Sequence, residues 1–400
     1  MDSRRNFIGK MTGGFAGAIT VPPGAAGANS RIGFGVIGAG VRGQHLIREA
    51  LGCPGTECVS VVDVYSARLE QASRLAPGAG LHKDYRDLLA EPGVDAVLIA
   101  TPQHLHREHF LAALDAGKHV YLERAAALTA ADAKAMKTLR ESRPDPVVQV
   151  GHQFCSSGLA EDARRFLDAG WVGGITGIEA NHYRNTPRGK PLWRQPVYPD
   201  MTPANIDWRA FQGGAPDREF DAERFANWRL YWDYSGGGVH EAFSQQLAFW
   251  CRALPLGIPH EVVARGSTRL SGDGREAPDT MSVLMDYAEG FAFNWHSSCG
   301  NSHLGTGEYL LGSDGTIYRG QQIRYWPQKV NRPGGRETQG RTRTAPRAHM
   351  SNFLAAIRGQ AQPACPFEMG YRVSIACAMA VASYREKRTV RWKPELEEIA

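Results

Sequence analysis

Three glycines with the spacing G-x-G-x-x-G stand near the beginning of the chain, and this pattern can bind a phosphate. They lie in the run Gly38-Ala39-Gly40-Val41-Arg42-Gly43. The first glycine allows a tight turn, the second lets the backbone approach a pyrophosphate, and the third lets a helix pack closely on a strand. Backbone N–H groups at the start of the following helix would then hold the phosphates.

A carboxylate stands twenty residues beyond the last of these glycines. Asp63 follows an apolar run, Cys58 to Val62, that predicts a strand. At this position a carboxylate accepts the ribose hydroxyls of a dinucleotide. It also repels a 2′-phosphate, so the sequence favours NAD over NADP. Arg68, a few residues on, is a second candidate for contact with the cofactor and keeps NADP open.

Strands and helices alternate in the part of the chain that must position these residues. The apolar run 31–37 predicts a buried strand before the glycines, and strands at Ala96–Ala100 and His119–Leu122 flank a helix over Arg107–Ala116. Ligands bind at the carboxyl ends of strands in such a sheet. The predicted cofactor-side residues after these strands are Thr101, Pro102, His104, His106, Glu123 and Arg124, with His104 preferred over His106 to face the nicotinamide.

The first 29 residues carry a signal of a different kind. Ser3-Arg4-Arg5-Asn6-Phe7 resembles the twin-arginine export motif, and a Gly/Ala-rich stretch follows up to Ala28. That stretch is too short and too rich in glycine for a permanent membrane span. We therefore expect cleavage near Ala28, the twin-arginine machinery as a partner, and a periplasmic or otherwise exported location. This route carries folded proteins, often because a cofactor is inserted first.

Composition places the chain among soluble globular proteins. Its 400 residues are 42% hydrophobic and 22% charged, with a net charge of +5, which suits two domains and gives no support to nucleic-acid binding. The histidines and cysteines lack ligand spacing, so we expect no metal site. Cys53 and Cys58 are close enough in sequence to form a disulfide, and the alternative is two plain thiols.

Several ordered motifs resemble the exported branch of the Gfo/Idh/MocA oxidoreductase family. In the first half they are Lys83–Leu89, Val94–Val97, Thr101–His106 and Gly117–Tyr121; in the second they are Asn227–Arg229, Tyr231–Gly237, Asn352–Arg358 and Arg391–Trp392. The resemblance covers nearly all of the chain after the predicted signal. It implies a substrate that lies between the nicotinamide and a second domain.

The resemblance also implies an α/β fold with two domains. A Rossmann domain with a doubly wound parallel sheet (30–150) precedes a substrate and oligomerisation domain (151–400) with an open, mainly antiparallel sheet, whose outer face would pair copies into a homo-oligomer. The residues agree, because strand-helix alternation stops after Gly151. Runs typical of strands then appear at Gly177–Tyr183, Glu261–Gly266, Thr280–Tyr287 and Phe291–Ser297.

The chain departs from the motifs with which this family handles protons. The family's Glu-Lys-Pro is Glu123-Arg124-Ala125 here, and an arginine can bind a ribose but stays protonated. The family's Asp and His, four residues apart on one helix face, correspond to Glu241 and Gln245, and a glutamine cannot titrate. The catalytic candidates are Arg124, Glu241, His240, His182 and Tyr183.

Aromatic and polar residues suggest a carbohydrate-like substrate. Trp193, Trp208, Trp228, Trp232 and Trp295 could pack against sugar rings, with core packing as the alternative. The run Asn181-His182-Tyr183-Arg184-Asn185, at a predicted strand end, offers the donors and acceptors that a polyol needs.

Three functions stay open at this stage. The first is NAD-dependent oxidation or reduction of a sugar, cyclitol or related polyol. The second is a glycoside hydrolase or lyase that retains NAD, oxidises a ring carbon transiently, eliminates the glycosidic group and returns the hydride. The third is a cofactor-binding protein without catalysis, against which the intact Gly38, Gly40, Gly43 and Asp63 argue.

Overall fold

The computed structural model describes residues 31–187 and 190–400. The predicted export signal, residues 1–29, lies outside the described residues. The described chain is built on two β-sheets with helices packed against them.

The first sheet is wholly parallel, with the strand order β3-β2-β1-β4-β5-β6. Its strands are β1 (Ile32–Ile37), β2 (Thr56–Val62), β3 (Gly80–His82), β4 (Ala96–Ile99), β5 (His119–Leu122) and β6 (Val148–Val150). The order reverses between β1 and β4, and a crevice for a ligand opens at such a reversal. This confirms the predicted doubly wound Rossmann sheet.

Five helices connect these strands: α1 (Val41–Leu51), α2 (Ser66–Leu75), α3 (Tyr85–Ala90), α4 (His106–Asp115) and α5 (Ala130–Ser142). The buried residues of α1 are Gly43, Leu46, Ile47 and Ala50. Their spacing of three and four residues forms one stripe, which holds the helix on the sheet. That packing places the first turn of α1 at the carboxyl end of β1.

The second sheet has ten strands in the order β14-β13-β12-β11-β7-β10-β9-β8-β15-β16. Only the β7–β10 pair is parallel in this sheet, so the predicted mainly antiparallel sheet is confirmed. The strands are β7 (Ile175–Tyr183), β8 (Glu261–Ser267), β9 (Thr280–Tyr287), β10 (Phe291–Ser298), β11 (Thr306–Gly312), β12 (Gly315–Arg319), β13 (Ile323–Pro327), β14 (Thr338–Gln339), β15 (Val390–Lys393) and β16 (Glu398–Ile399).

Some of the remaining helices pack against this sheet, and others pack against the first domain. They are α6 (Gly158–Asp168), α7 (Trp208–Gln212), α8 (Ala222–Ala226), α9 (Ser244–Ala253), α10 (Ala348–Ile357) and α11 (Phe367–Glu386). A π-helical turn, Val239–Phe243, leads directly into α9. Met350, Phe353 and Leu354 of α10 join the buried core of the first domain.

Three residues whose role the sequence did not decide are buried in the core. Cys53 and Cys58 are buried, free thiols. Trp295 is fully buried and donates a hydrogen bond from Nε1 to Gln246 Oε1 at 2.8 Å, so it belongs to the core and not to a sugar pocket.

Candidate cofactor and substrate site

The glycine loop joins β1 to α1. Gly38 has a φ of +93°, and a Cβ there would lie 2.9 Å from the carbonyl carbon of Ala100. A Cβ on Gly43 would lie 1.8 Å from the Gly38 oxygen, whereas one on Gly40 would meet nothing nearer than Arg68 at 3.7 Å. Gly38 and Gly43 are therefore needed for the backbone path, and Gly40 leaves space in front of the loop. The whole predicted run, Gly38, Ala39, Gly40, Val41, Arg42 and Gly43, lies at this turn.

Asp63 ties the glycine loop to the end of β2. Its Oδ2 accepts a hydrogen bond from the Ala39 N–H at 2.7 Å, and its Oδ1 accepts one from the Tyr65 N–H at 2.9 Å. Burial raises the pKa of Asp63, and Arg68 at 3.9 Å opposes that shift together with the two amides. Each carboxylate oxygen keeps a second acceptor position, so Asp63 can still receive a ribose hydroxyl.

A cleft of about 1380 Å³ runs in front of these residues. This exceeds the roughly 300–1,000 Å³ of a common small-molecule pocket, and so suits a dinucleotide together with a second molecule. Its lining comes from the glycine loop, the end of β2, the loops after β3 and β4, and the second domain. Val41, at the start of α1, is 86% exposed, so the helix N-terminus faces open space.

The second domain covers the cleft with residues 193–213, which we call the covering segment. It is anchored beside the end of β2, where Tyr65 and Ile206 form an antiparallel bridge. The Asp207 N–H donates to the Val64 oxygen at 2.9 Å, and the Ser66 N–H donates to the Asn205 oxygen at 3.0 Å. Tyr65 also donates its hydroxyl to Asp200. A buried cluster seals the contact, made of Tyr65, Met201, Ile206, Phe211, Phe225 and Leu230.

Some residues of the loop after β4 line the cleft, and others are packed in the interior. Thr101 and Pro102 line the cleft. His104 Nε2 lies 2.7 Å from the Phe211 oxygen, and burial lowers the pKa of His104 to about 4. His106 lies with one ring nitrogen 2.9 Å from the Ala125 oxygen and the other 3.0 Å from the Thr101 oxygen. Both histidines thus hold loops together, and neither is among the residues that line the cleft.

An ion-pair chain joins the glycine loop to the loop after β5. Arg42 Nε lies 2.8 Å from Glu123 Oε1, and Arg124 Nη1 lies 3.2 Å from Glu123 Oε2. Burial alone would raise the pKa of Glu123, but the two arginines hold it below its ordinary value. The Arg124–Ala125 peptide bond is cis. Predicted cofactor residues from two strands therefore meet here.

Glu241 is the predicted catalytic residue that lines the cleft. Its Oε1 accepts a hydrogen bond from Gln103 Nε2, and its Oε2 lies 3.2 Å from Arg229 Nε. His240, next to it in the π-helical turn, is fully buried, and burial lowers its pKa to about 3. A glutamate with free acceptor positions can take a proton, whereas Arg124 cannot.

Two other catalytic candidates lie elsewhere. His182 and Tyr183 stand at the end of β7, and neither lines the cleft. Burial lowers the pKa of His182 to about 4. Asn181, from the same run, donates its side-chain amide to the oxygens of Leu304 and Gly305. This strand end is engaged with the β10–β11 connection, and the proposed polyol contacts of 181–185 stay a prediction.

Sequence reasoning missed several residues of the site. Gln103, His109, Trp193 and Arg229 were not among the site candidates, although Trp193 was named for sugar packing and now lines the cleft together with Trp228. His109 lies 3.1 Å from the Thr101 hydroxyl, and burial lowers its pKa to about 3. Gln103 belongs to the predicted Thr101–His106 loop, so its place in the chain was a usable signal. The other contacts depend on tertiary structure.

Within residues 31–187 and 190–400, no three His, Cys, Asp or Glu side chains are grouped as a metal ion would require. Likewise, no helix of the described chain combines the length and apolar character of a membrane span.

Comparison with known proteins finds a family model that the first domain matches. The model of the GFO_IDH_MocA oxidoreductase family, described as an NAD-binding Rossmann fold, matches residues 32–152. Inositol 2-dehydrogenase of Gluconacetobacter diazotrophicus is 33% identical over 153 residues, which is 38% of this chain and 45% of that enzyme. The chain thus aligns with less than half of the length of this relative.

Longer matches are more distant. 1,5-Anhydro-D-fructose reductase of Ensifer adhaerens is 26% identical over 87% of this chain and 94% of that enzyme. A levoglucosan dehydrogenase, solved with NADH and levoglucosan, has a TM-score of 0.69 at 18% identity and covers 90% of this chain and 99% of its own. The WlbA dehydrogenase from Chromobactrium violaceum, solved with NADH and UDP-GlcNAcA, gives 0.70 at 19% identity, with 92% and 97% covered. These structural likenesses establish the fold of both domains.

Proposed function

We propose that the protein is an NAD-dependent oxidoreductase acting on a sugar, cyclitol or related polyol, because residues 32–152 match the model of the Gfo/Idh/MocA oxidoreductase family with its NAD-binding Rossmann fold. The observation that carries the proposal is that one cleft is lined by both the glycine loop and the Glu241 carboxylate. The relatives named above act on substrates of this class, which supports the choice.

The residues present fit a dinucleotide. The space in front of Gly40, the exposed start of α1 and the acceptor positions of Asp63 are what a pyrophosphate and a ribose require. NAD, when bound, supplies the acceptor or donor of hydride. We assign the glycine loop to the pyrophosphate, Asp63 to the ribose, and Thr101 and Pro102 to the cofactor-side wall.

Glu241 is the proposed proton acceptor. When an alcohol is oxidised, the hydride leaves carbon and the hydroxyl proton must go to a base. Gln103 and Arg229 each occupy one acceptor position on a Glu241 oxygen, so the carboxylate is held in place and retains positions for the substrate proton. Arg124 remains a cation that orients Glu123.

The first experiment measures the cofactor and the reaction separately. Protein purified from the cytoplasm is denatured, and the released nicotinamide is quantified; we expect NAD, with NADH binding the emptied protein more tightly than NADPH. Hydride transfer is then followed with myo-inositol, 1,5-anhydro-D-fructose and levoglucosan. Protein that neither carries nor binds a nicotinamide dinucleotide would refute the proposal.

A second candidate function is favoured by the covering segment. Since residues 205–207 are hydrogen-bonded to the end of β2, the cofactor is expected to leave slowly. Retained NAD suits a hydrolase or lyase that oxidises a ring carbon, eliminates the glycosidic group and returns the hydride in one cycle. Release of nitrophenol from nitrophenyl glycosides without accumulation of NADH would favour it; net NADH formation from a free polyol would favour the oxidoreductase.

Retention can be tested on its own. Asp200→Asn removes the charged acceptor of the Tyr65 hydroxyl without altering the glycine loop. We expect this variant to lose NAD faster on dialysis than the wild type. Asp217→Asn, an exposed change outside the covering segment, is the matched control.

We also propose export by the twin-arginine route. The support is the Arg4-Arg5 motif and the small-residue stretch up to Ala28. A retained cofactor agrees with it, because this route carries folded proteins.

A further inference from the structure

The connection between β13 and α10, residues 328–347, concentrates the positive charge of the protein. We call it the basic segment. Its cationic side chains are Lys329, Arg332, Arg336, Arg341, Arg343 and Arg347, and its one carboxylate is Glu337. The segment therefore has a net charge of +5, which equals the net charge of the whole chain. The positive and negative charges of all other residues cancel.

The cations of the basic segment face solvent without a counter-ion. Arg332 is half-buried, and the other five are exposed. None of the six forms an ion pair with a carboxylate in the part of the chain that the structure describes. Asp162, a carboxylate that contacts the segment, is paired with Arg165 at 2.6 Å instead. Because the potentials of unpaired cations add, such a surface attracts an anionic partner.

The second half of the basic segment is fixed to helix α6. Thr342 donates to the buried Asp162 carboxylate from its N–H at 2.9 Å and from its hydroxyl at 2.8 Å. The Thr344 hydroxyl oxygen accepts the N–H of the first residue of α6 at 3.0 Å. Arg341 and Arg343, on either side of Thr342, are both exposed. A partner thus meets two arginines on a backbone that is already ordered, which lowers the entropy cost of binding.

The first half of the basic segment presents an apolar side chain. Val330 is 93% exposed, more than any other large hydrophobic residue of the described chain. The Arg332 N–H donates to the Gln328 oxygen at 2.8 Å, so Val330 lies at the apex of a hydrogen-bonded turn. Lys329 stands directly before it. Cations around a protruding apolar side chain are typical of surfaces that bind the interface of a lipid bilayer.

We propose that the basic segment docks the protein on a membrane that contains anionic phospholipids. Arginine binds the phosphates of the headgroups through charge-assisted hydrogen bonds, and Val330 enters the boundary between headgroups and acyl chains. The segment contains no aromatic residue on which the bases of a single strand would stack, and a phosphate backbone offers Val330 no apolar contact. A lipid surface therefore fits it better than a nucleic acid does. The inference is independent of the reaction proposed above.

Co-sedimentation of the full chain with lipid vesicles tests the proposal. We expect binding to vesicles of phosphatidylglycerol and phosphatidylcholine, and weaker binding to phosphatidylcholine alone. Each cation near an anionic surface strengthens binding about fivefold, so the double variant Arg341→Ser with Arg343→Ser should bind roughly 30-fold more weakly. Replacing both by lysine keeps the charge and should keep most of the affinity.

The matched control removes the same charge elsewhere. Arg74→Ser combined with Arg269→Ser changes two exposed arginines outside the basic segment and should bind the anionic vesicles nearly as the wild type does. All variants keep residues 1–29, so any contribution of the predicted signal is the same in each. Because the replaced side chains are exposed, the midpoint of denaturant unfolding should stay unchanged.

Salt and Val330→Ser separate lipid docking from simple binding of phosphate. Raising the salt from about 0.1 M to about 1 M shortens the Debye length from about 10 Å to about 3 Å and should release the protein. Val330→Ser should weaken binding to the vesicles. Equal vesicle affinity of the wild type and the double serine variant would overturn the proposal. Tighter binding to a DNA duplex than to the vesicles, with Val330→Ser unchanged, would overturn it as well.

Discussion

Gln103 of the first domain donates a hydrogen bond to Glu241 of the second domain, with 3.2 Å between Nε2 and Oε1. The Gln103 oxygen accepts the Gly236 N–H at 2.9 Å and lies 3.2 Å from His240 Nδ1. Since this oxygen can only accept, His240 carries its proton on Nδ1, and its Nε2 is a bare acceptor. One glutamine thus orients both a carboxylate and an imidazole across the domain boundary.

Glu241→Gln should abolish most of the proposed activity. The amide keeps the shape but cannot take a proton, and removal of a general base lowers kcat by roughly 10²–10⁴-fold. The measurement is steady-state kinetics on the polyol that the wild type turns over, with NADH affinity as a check that the site is intact. Glu141→Gln, on the exposed side of α5, should behave as the wild type. A Glu241→Gln enzyme with normal kcat would show that another group takes the proton.

The two glycines of the loop should respond differently to alanine. In Gly43→Ala the new methyl would lie 1.8 Å from the Gly38 oxygen, so the helix must move, and we expect a loss of about 1–3 kcal/mol in the free energy of unfolding. In Gly40→Ala the nearest atom is 3.7 Å away, so stability should be kept while NADH binding is lost. Denaturant unfolding measures the stability of both variants, and NADH titration measures their cofactor affinity. Normal NADH affinity in Gly40→Ala would contradict our placement of the pyrophosphate.

His104 should make the protein sensitive to mild acid. Its folded pKa is about 4, against about 6.5 when unfolded, so the unfolded chain takes up a proton that the folded chain does not. Its contribution to stability is therefore present above pH 6.5 and declines as the pH falls toward about 4, by up to about 1.4 kcal/mol per pH unit.

His104→Gln provides the comparison. The amide nitrogen can still donate to the Phe211 oxygen, but the side chain no longer titrates. The free energy of unfolding should fall less steeply between pH 6.5 and about 4 than in the wild type, while the exposed His303→Gln serves as the control. Parallel curves for wild type and His104→Gln would exclude this contribution.

Export should depend on the paired arginines. Replacing Arg4 and Arg5 by lysine keeps the charge but removes the twin-arginine motif, so we expect the protein to accumulate in the cytoplasm. Cell fractionation and immunoblotting of the cleaved and uncleaved forms measure this. Lys10→Arg, outside the pair, is the control. An exported double-lysine variant would mean that another route carries the chain.

Local patterns were enough to predict four strands of the first sheet, β1, β2, β4 and β5, but not β3 or β6. The glycine run, the strand at 119–122 and the stripe on α1 are set by neighbours in sequence, and the structure has them within a residue or two. Four strands of the second sheet, β7 to β10, also follow from alternation, as in β9, where Met281, Val283, Met285 and Tyr287 are buried. Turn residues then mark where strands end.

The site was predicted less well because its contacts are distant in the chain. Glu241 could be placed because it matches the position of the acid in the family that the chain resembles, but its partner Gln103 lies 138 residues away. The covering segment carries no periodic pattern, since it is held by Tyr65 and not by a sheet of its own. His182 and Tyr183 were chosen because they end a strand, yet that end faces the β10–β11 connection.

The bridge between Tyr65 and Ile206 also has a consequence for biosynthesis. A ribosome releases residues 31–150 well before residue 206, so a nascent first domain displays an open glycine loop to the nucleotide pool of the cytosol. Once residues 193–213 have folded, they line one side of the cleft in front of that loop. A nascent chain thus offers the dinucleotide a more open route than the finished one.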